Sequence, residues 1–187
     1  MAKKATKRAP KKKSKTGSNS ANWRKILRWT GIGFLACFIA VFIVFRFVPI
    51  LTTPYILSEK SRLGSVHSEW MPVEEISDTL KLTVVAAEDV NFCQHWGFDM
   101  TAIRAAIQDG GERGASTLTQ QVVKNTFLWH GRSWMRKTLE AFLTPLVELF
   151  WSKERILEVY LNVAEFDEGV LAPRPRPYII SASPQIA

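Results

Sequence analysis

Residues 84–99 read V-V-A-A-E-D-V-N-F-C-Q-H-W-G-F-D and join an apolar run to two adjacent carboxylates, Glu88 and Asp89. An apolar run that ends in a carboxylate predicts that this carboxylate lies at the rim of a core. Desolvation there can raise its pKa toward the working pH of a general base. The plainer interpretation is a surface acid pair at the start of a helix, and for the pair alone it is favoured. The choice between them depends on the rest of the chain.

The composition is that of one ordinary domain with appendages, since the chain has 187 residues and 47% of them are hydrophobic. Its formal net charge of +8 is not spread evenly, because residues 1–28 hold 11 of the 25 Lys and Arg and no acid. The other 14 are outnumbered by the 17 acidic residues. The basic character therefore belongs to a tail, and residues 1–22 are predicted to be disordered.

An unbroken apolar run, W-T-G-I-G-F-L-A-C-F-I-A-V-F-I-V-F at residues 29–45, predicts a transmembrane helix. With Arg46 at an interface the run continues into F-V-P-I-L, so the anchor is assigned to residues 23–51. No small-x-small cleavage site follows, which favours an uncleaved anchor over a signal peptide. The positive-inside rule places the N-terminus in the cytoplasm and the rest outside, because three cations abut the run on its N-terminal side: Arg24, Lys25 and Arg28.

The remaining chain is predicted to be mainly α, because regular strand alternation is weak throughout. Residues 52–80 are assigned to a connector and residues 81–170 to the folded domain. Helical spacing is found at four places. These are Thr101 to Ile107, with Ile103, Ala106 and Ile107 on one face; a helix start leading into Gln120; an apolar stripe of Leu139, Phe142, Leu143, Leu146, Val147 and Phe150, with a kink at Pro145; and a helix capped by Ser152.

Two polar clusters are candidate binding sites. In the first, uncharged donors precede one cation, Lys124, which suits an anionic, polyhydroxylated ligand as well as it suits a plain helix cap. The second holds cations with Glu140 in helical register, which predicts either a pyrophosphate site or an ordinary salt bridge. The donors are Ser116, Thr117, Gln120 and Gln121, and the second set of cations is Arg132, Arg136 and Lys137. Cys37 and Cys93 are not expected to pair, and the three histidines give no metal-site pattern.

Three stretches resemble, in order, the motifs of the peptidoglycan glycosyltransferases, glycosyltransferase family 51. Residues 88–99 (E-D-V-N-F-C-Q-H-W-G-F-D) resemble the first motif, and residues 114–125 (G-A-S-T-L-T-Q-Q-V-V-K-N) resemble the second. Residues 132–140 (R-S-W-M-R-K-T-L-E) and 152–166 (S-K-E-R-I-L-E-V-Y-L-N-V-A-E-F) resemble the third and its continuation. The resemblance covers roughly residues 23–170. A single anchor with no room for a penicillin-binding domain is typical of the monofunctional members.

The resemblance implies a lysozyme-like α-helical fold and an inverting polymerisation of lipid II, with undecaprenyl pyrophosphate as the leaving group. It makes Glu88 the general base, and it gives Glu140 a second role, either acid assistance or orientation of the cations. Ser116, Gln120 and Gln121 would line the donor site, and Lys124, Arg132, Arg136 and Lys137 would contact phosphate. The supporting residues would be Asp89, Phe92, His95, Gly97 and Asp99, with Asp89 and His95 bracing the loop.

The resemblance also implies partners and a location. The partners are lipid II, the growing glycan strand, the membrane and other cell-wall synthesis proteins, with no nucleic acid. The location is the bacterial cytoplasmic (inner) membrane, with the catalytic domain on the periplasmic side. Two aromatic residues, Trp129 and Trp134, would lie where the family's domain faces the bilayer. No cofactor is required, although a divalent cation (Mg or Mn) could assist at the pyrophosphate.

The match ends near Val170. Residues 171–187 form a Pro-rich tail that matches nothing in the family, so the domain is predicted to be C-terminally incomplete. The main alternative is therefore a truncated, inactive membrane-anchored fragment that binds lipid II or cell-wall synthesis partners. Two further alternatives are a lysozyme-like hydrolase, which also uses two carboxylates, and a tethered nucleic-acid binder that uses the basic tail.

Overall fold

The computed structural model describes residues 19–110, 114–129, 131, 133–167 and 170–171. The predicted disorder of most of the basic tail, the Pro-rich tail beyond Leu171 and the predicted phosphate contact of Arg132 lie outside the described residues. The chain divides into two units, Met1–Val41 and Phe42–Ala187. Within the described residues there are seven α-helices and three very short strands, so the prediction of a mainly α fold is confirmed.

The first helix, α1, spans Asn19–Phe47. Its segment Asn22–Phe47 is long and apolar enough to cross a membrane, and only 6% of its most apolar part is buried inside the protein. That exposure separates it from the core helix of a soluble protein. The N-terminal apolar helix thus fits the predicted membrane anchor, although a signal sequence would have the same length and composition.

The last turn of α1 belongs to the second unit. The carbonyl of Phe45 lies in the final turn, where helical carbonyls have no partner within the helix. Arg155 supplies that partner, since its Nη2 donates to this oxygen at 2.8 Å. Trp151 Nε1 donates to the Phe42 carbonyl at 2.8 Å, and the Phe42 and Phe127 rings lie 5.2 Å apart. The end of the helix is thereby packed against the folded unit.

Six further helices follow, and side-chain caps begin most of them. They are α2 (Pro54–Leu63), α3 (Asp78–Glu88), α4 (Met100–Gln108), α5 (Leu118–Phe127), α6 (Trp134–Phe150) and α7 (Lys153–Val163). Thr53, Ser77, Asp99, Thr117, Ser133 and Ser152 accept backbone N–H groups at their starts. A 3₁₀ turn, Val73–Glu75, begins after Pro72.

Helix α5 is the centre of the core, because it packs against α2, α6 and α7. Its Leu118, Val122 and Val123 are fully buried, and so are Ile156 and Val159 of α7. Burying each such side chain stabilises the fold by about 1.5–3 kcal/mol. Beside this core lies a small sheet in the order β1 (His67–Ser68), β3 (Val170–Leu171), β2 (Glu165–Asp167), with β1 parallel and β2 antiparallel to β3.

Three predictions about buried faces are wrong. The predicted apolar stripe of α6 is largely outside the core: Phe142 is 62% exposed, whereas the buried residues of α6 are Glu140, Thr144, Val147 and Glu148. Ile107 of α4 is 73% exposed. In α3 the apolar run buries only Val84, so Glu88 at its end is not at the rim of a core.

Candidate active site

Glu88 is the last residue of α3, and its carboxylate is exposed. The prediction that burial would desolvate it is therefore wrong. Its Oε2 instead accepts a hydrogen bond from Nε2 of Gln121, on α5, at 2.9 Å. An amide donor fixes one carboxylate oxygen and leaves the other available to a proton from a ligand. Glu88 and Gln121, predicted separately from the first and second motifs, are in direct contact.

The loop after Glu88 is held against the start of α5. Asp89 is buried, and its Oδ2 accepts the backbone N–H of Leu118 at 3.0 Å. His95 Nε2 lies 2.8 Å from Asp89 Oδ1, so the two residues predicted to brace the loop are bonded to each other. Thr117 Oγ1 donates to the carbonyl of Gly97 at 2.7 Å. Three separate contacts thus fix the geometry of residues 89–97.

The end of the loop is fixed by two further predicted residues. Gly97 has a φ of +85°, and a Cβ there would lie 2.6 Å from Cγ2 of Thr144, so only glycine fits without rearrangement. Asp99 caps α4 by accepting from the N–H groups of Thr101 and Ala102. These bonds and the one from the Asn91 amide hold the pKa of Asp99 below its usual value. Phe92 is 2% exposed and anchors the middle of the loop.

The cationic cluster is arranged around Glu140, a buried residue of α6. Arg136 Nη1 donates to its Oε2 at 2.9 Å, and Lys137 Nζ contacts its Oε1. Lys137 also reaches Ser116 Oγ at 3.2 Å. The structure therefore brings together the predicted second and third motifs. The cations Arg136 and Lys137 are oriented by a carboxylate that solvent does not reach.

The charges of both carboxylates act on Lys124 of α5. Burial lowers its pKa below the usual 10.5. Glu140 and Glu88 act in the opposite direction, and Arg136 and Lys137 act in the same direction as burial. The pKa of this half-buried ammonium therefore depends on charges from both motifs. Lys124, the two carboxylates and the two other cations form one electrostatic site.

A cleft of about 350 Å³ opens beside Glu88. Its walls include small side chains of α3, α4 and the segment before α5, such as Ala87, Ala105 and Ala115. Glu88 and Ser116 are among several polar residues that line it. Small side chains leave room for a bulky ligand next to the carboxylate. Farther along the chain, Trp129 and Trp134 are 41% and 90% exposed.

Gln120, predicted to line the donor site, has a structural role within the fold. It is 5% exposed, and its Oε1 accepts the backbone N–H of Thr117 at 3.0 Å, while Thr117 accepts the N–H of Gln120 in return. The two form a reciprocal capping box at the start of α5. The spacing T-x-x-Q is visible in the sequence and would have identified this role.

Sequence reasoning gave no site role to two residues near Glu88. Asn91 donates to Asp99 Oδ2 at 2.8 Å across the loop. Tyr160 of α7 is 6% exposed, and burial together with the charge of Glu88 raises its pKa to about 12. Its proximity to Glu88 depends on how α7 packs, which the sequence does not indicate.

Comparison with known proteins adds independent information. Residues 57–173 match the family model described as Transglycosylase. A biosynthetic peptidoglycan transglycosylase of Jannaschia sp. (strain CCS1) is 53% identical over 167 residues, which cover 88% of this chain and 70% of the relative. Proteins of the same description from Pseudomonas putida (strain W619) and Pseudomonas entomophila (strain L48) are 53% and 54% identical over 147 residues. Those two matches span 73% of this chain and 62% of each relative.

Proposed function

The chain belongs to the transglycosylase family, and on that basis we propose that it is a peptidoglycan glycosyltransferase that polymerises lipid II into glycan strands. The relatives of this family are described as biosynthetic peptidoglycan transglycosylases. The chain matches the family model over 57–173, a stretch that includes every residue of the candidate site.

One observation carries the proposal: the start of α5 contacts both groups. Gln121 donates to Glu88 at 2.9 Å, and Ser116, just before the helix, contacts Lys137, the partner of Glu140, at 3.2 Å. A carboxylate that can accept a proton and a cation cluster that can hold a diphosphate are therefore parts of one site. Glycosyl transfer from a sugar pyrophosphate requires both. A polar helix face with scattered salt bridges would not place them together.

In the proposed reaction the acceptor sugar's 4-hydroxyl loses its proton to Glu88 as its oxygen bonds to the anomeric carbon of the donor chain. The bond between that carbon and the pyrophosphate oxygen breaks, and its electron pair leaves with undecaprenyl pyrophosphate. Attack opposite to the leaving group inverts the anomeric configuration. Gln121 orients the Glu88 carboxylate through the 2.9 Å hydrogen bond.

The negative charge that develops on the leaving group is stabilised by Lys124, Arg136 and Lys137. In this proposal Glu140 orients Arg136 and Lys137, because it is buried and bonded to both of them. A two-carboxylate hydrolase is disfavoured because its second carboxylate must reach the sugar or a water molecule, whereas Glu140 is buried and ion-paired.

The described residues do not fit a protein-bound divalent cation. They contain no group of three or more His, Cys, Asp and Glu side chains that could hold one. Glu140, the carboxylate beside the phosphate-binding cations, is already ion-paired. Mg or Mn would therefore enter, if at all, on the pyrophosphate of the substrate, and no step above depends on it.

The α1 helix is proposed to anchor the enzyme in the bacterial cytoplasmic membrane, with the N-terminus inside and the catalytic unit on the periplasmic side. The cations Arg24, Lys25 and Arg28 support this orientation. It places the catalytic unit next to the bilayer that carries lipid II. The exposed Trp134 suits the interface through which a lipid-linked substrate enters.

The test is polymerisation of fluorescent lipid II by the purified full-length chain in detergent, compared between wild type and Glu88→Gln. Loss of the general base should lower the rate by about 10²–10⁴-fold. Glu88 is exposed, so the circular dichroism spectrum and the melting temperature should be unchanged. Glu74→Gln, at an exposed carboxylate of the 3₁₀ turn, is the matched control and should retain full activity.

Retained polymerisation in Glu88→Gln would remove Glu88 from the role of base. Lipid II binding without polymerisation by the wild type would favour the membrane-anchored binding fragment instead. Release of soluble fragments from finished peptidoglycan would favour the hydrolase.

A further inference from the structure

Lys153 occupies a position that its helix does not favour. It is the first residue of α7, directly after the cap Ser152, and the positive end of a helix dipole disfavours a cation there. Its ammonium is turned toward the loop after Glu88. Nζ donates to the His95 carbonyl at 2.8 Å and to Glu148 Oε1 at 2.8 Å, and it lies 4.5 Å from the centre of the Phe92 ring.

Two of these contacts use N–H groups of the ammonium, and the third is with the ring of Phe92. Two of the partners, His95 and Phe92, belong to the loop of residues 89–97, and the third belongs to α6. The face of an aromatic ring attracts a cation. Lys153 therefore contacts the middle of the active-site loop, whose Asp89 is held to α5 by a separate hydrogen bond.

Glu148 extends the connection to the helix that bears the catalytic groups. Its side chain is 3% exposed, and the same Oε1 that accepts from Lys153 also accepts from Thr119 Oγ1 at 2.6 Å. Thr119 lies on α5, two residues before Gln121, the partner of Glu88. Glu148 Cγ also lies 3.2 Å from where a Cβ on Gly97 would be, so α6 packs directly on the loop.

We propose that Lys153 is a positioning residue for the glycosyl transfer: with Glu148 and Thr119 it fixes the loop of residues 89–97 to α5, α6 and α7, and so sets the distance between Glu88 and the phosphate-binding cations. Lys153 does not touch the reacting groups in this proposal. It acts through the His95 carbonyl and the Phe92 ring. The expected loss of activity rests on the proposed function. The expected loosening of the loop follows from the contacts alone.

The experiment compares Lys153→Met with Lys81→Met in the full-length chain. Methionine keeps the length of the side chain and removes its donors. Lys81 is a matched control, because its ammonium also contacts one carboxylate, of Asp78 at 2.7 Å, and one backbone carbonyl, of Val73 at 3.3 Å, both remote in sequence from the loop. Two quantities are measured: steady-state kinetics with lipid II, and hydrogen exchange of the loop amides.

Lys153→Met should lower kcat by about 10- to 100-fold with KM changed less than about twofold, because a small misplacement of reacting groups affects the transition state more than binding. The Phe92 and Gln94 amides, which donate to Asp89 and Asn91 carbonyls, should exchange at least about tenfold faster. Lys153→Arg should recover most of both losses. Lys81→Met should match the wild type in both measurements.

Unchanged loop exchange in Lys153→Met overturns the proposal, and so does a kcat per folded molecule equal to that of the wild type. Equal losses in Lys81→Met and Lys153→Met also overturn it, since the effect would then not be specific to the position of Lys153. If Lys153→Met does not fold, Glu148→Gln gives the same test, because it removes the charge that orients the ammonium and keeps the volume. A wild type that does not polymerise lipid II defeats the proposed function, while the exchange measurement still decides the positioning.

Discussion

At the scale of single residues, the site depends on a cation held in an unfavourable environment. Lys124 is half-buried, and its pKa is lowered chiefly because burial disfavours the ammonium. Glu140 and Glu88 offset part of this, and Arg136 and Lys137 add to it. An incoming pyrophosphate would supply the missing negative charge. A site that is electrostatically strained when empty and relieved by its anionic ligand is what selective binding of a diphosphate requires.

This strain predicts that Lys124→Met gains stability as it loses activity. Polymerisation should fall by at least about 10²-fold, since one donor to the developing charge is lost. The free energy of unfolding at pH 7 should rise by up to about 1 kcal/mol, because an apolar side chain of similar size avoids the desolvation of the ammonium. Thermal denaturation and the lipid II assay measure the two effects.

The pH dependence has a definite sign. The folded chain releases the Lys124 proton at a lower pH than the unfolded chain, whose lysine titrates near 10.5. Between these two pKa values the unfolded state binds more protons, so the stability of the wild type rises with pH there. The advantage of Lys124→Met should therefore shrink as pH rises through that window. Lys60→Met, at an exposed lysine of α2, should show neither effect, and a Lys124→Met variant less stable than wild type at pH 7 would contradict the prediction.

At the scale of elements, the start of α5 is the junction between the two main motifs. Thr117 caps the helix by accepting from the N–H of Gln120, and the same hydroxyl donates to the Gly97 carbonyl in the loop. Ser77 caps α3 through the N–H of Leu80 alone and is exposed. Thr117 therefore caps α5 and also joins it to the loop, whereas Ser77 only caps α3.

Thr117→Ala should cost about 2–3 kcal/mol in the free energy of unfolding, because it removes the cap and also leaves a buried carbonyl unpaired. Ser77→Ala should cost about 0.5–1 kcal/mol, since only the cap is lost. Urea denaturation of both variants measures the difference, and Thr117→Ser, which keeps the hydroxyl, should restore most of it. Equal losses at the two positions would show that the bond to Gly97 contributes nothing.

The elements also show which features the sequence can predict. Caps are local, so the helix after Ser152 and the start of α5 were both predicted correctly. The buried face of α6 was not, because Glu140 and Glu148 are buried together with the cations that pair with them: Arg136 and Lys137 within the helix, and Lys153 at the start of α7. Apolar periodicity cannot identify a face whose burial is made possible by ion pairs.

Within the site, too, local features could be predicted and tertiary contacts could not. The first two motifs predicted Glu88 and Gln121 as site residues, and their contact follows from packing. The exposure of Glu88 was missed because the apolar run before it buries only Val84. Lys153 was not recognised either, although a lysine at the first position of a helix is a visible anomaly. Its partners lie 58 and 5 residues away in the chain, and only the tertiary fold identifies them.

At the scale of the whole molecule, the sequence separates into a basic part with an apolar helix and a slightly acidic folded part. Each of these two parts contains one of the chain's two cysteines. Cys37 lies in the apolar segment of α1, and Cys93 is an exposed residue of the loop between Glu88 and Gly97. They can therefore report on topology without any engineered label.

If the N-terminus is cytoplasmic, a membrane-impermeant maleimide added to intact spheroplasts should label Cys93, because its thiol is exposed and lies in the unit placed outside the cytoplasm. Cys37 should stay unlabelled, since a polar, membrane-impermeant reagent does not enter the hydrocarbon in which this residue is expected to lie. Cys93→Ser should abolish labelling, and Cys37→Ser should leave it unchanged. Labelling of Cys93 only after lysis would mean that the loop faces the cytoplasm. The anchor would then be inverted, and the site could not reach substrate on the periplasmic face of the membrane.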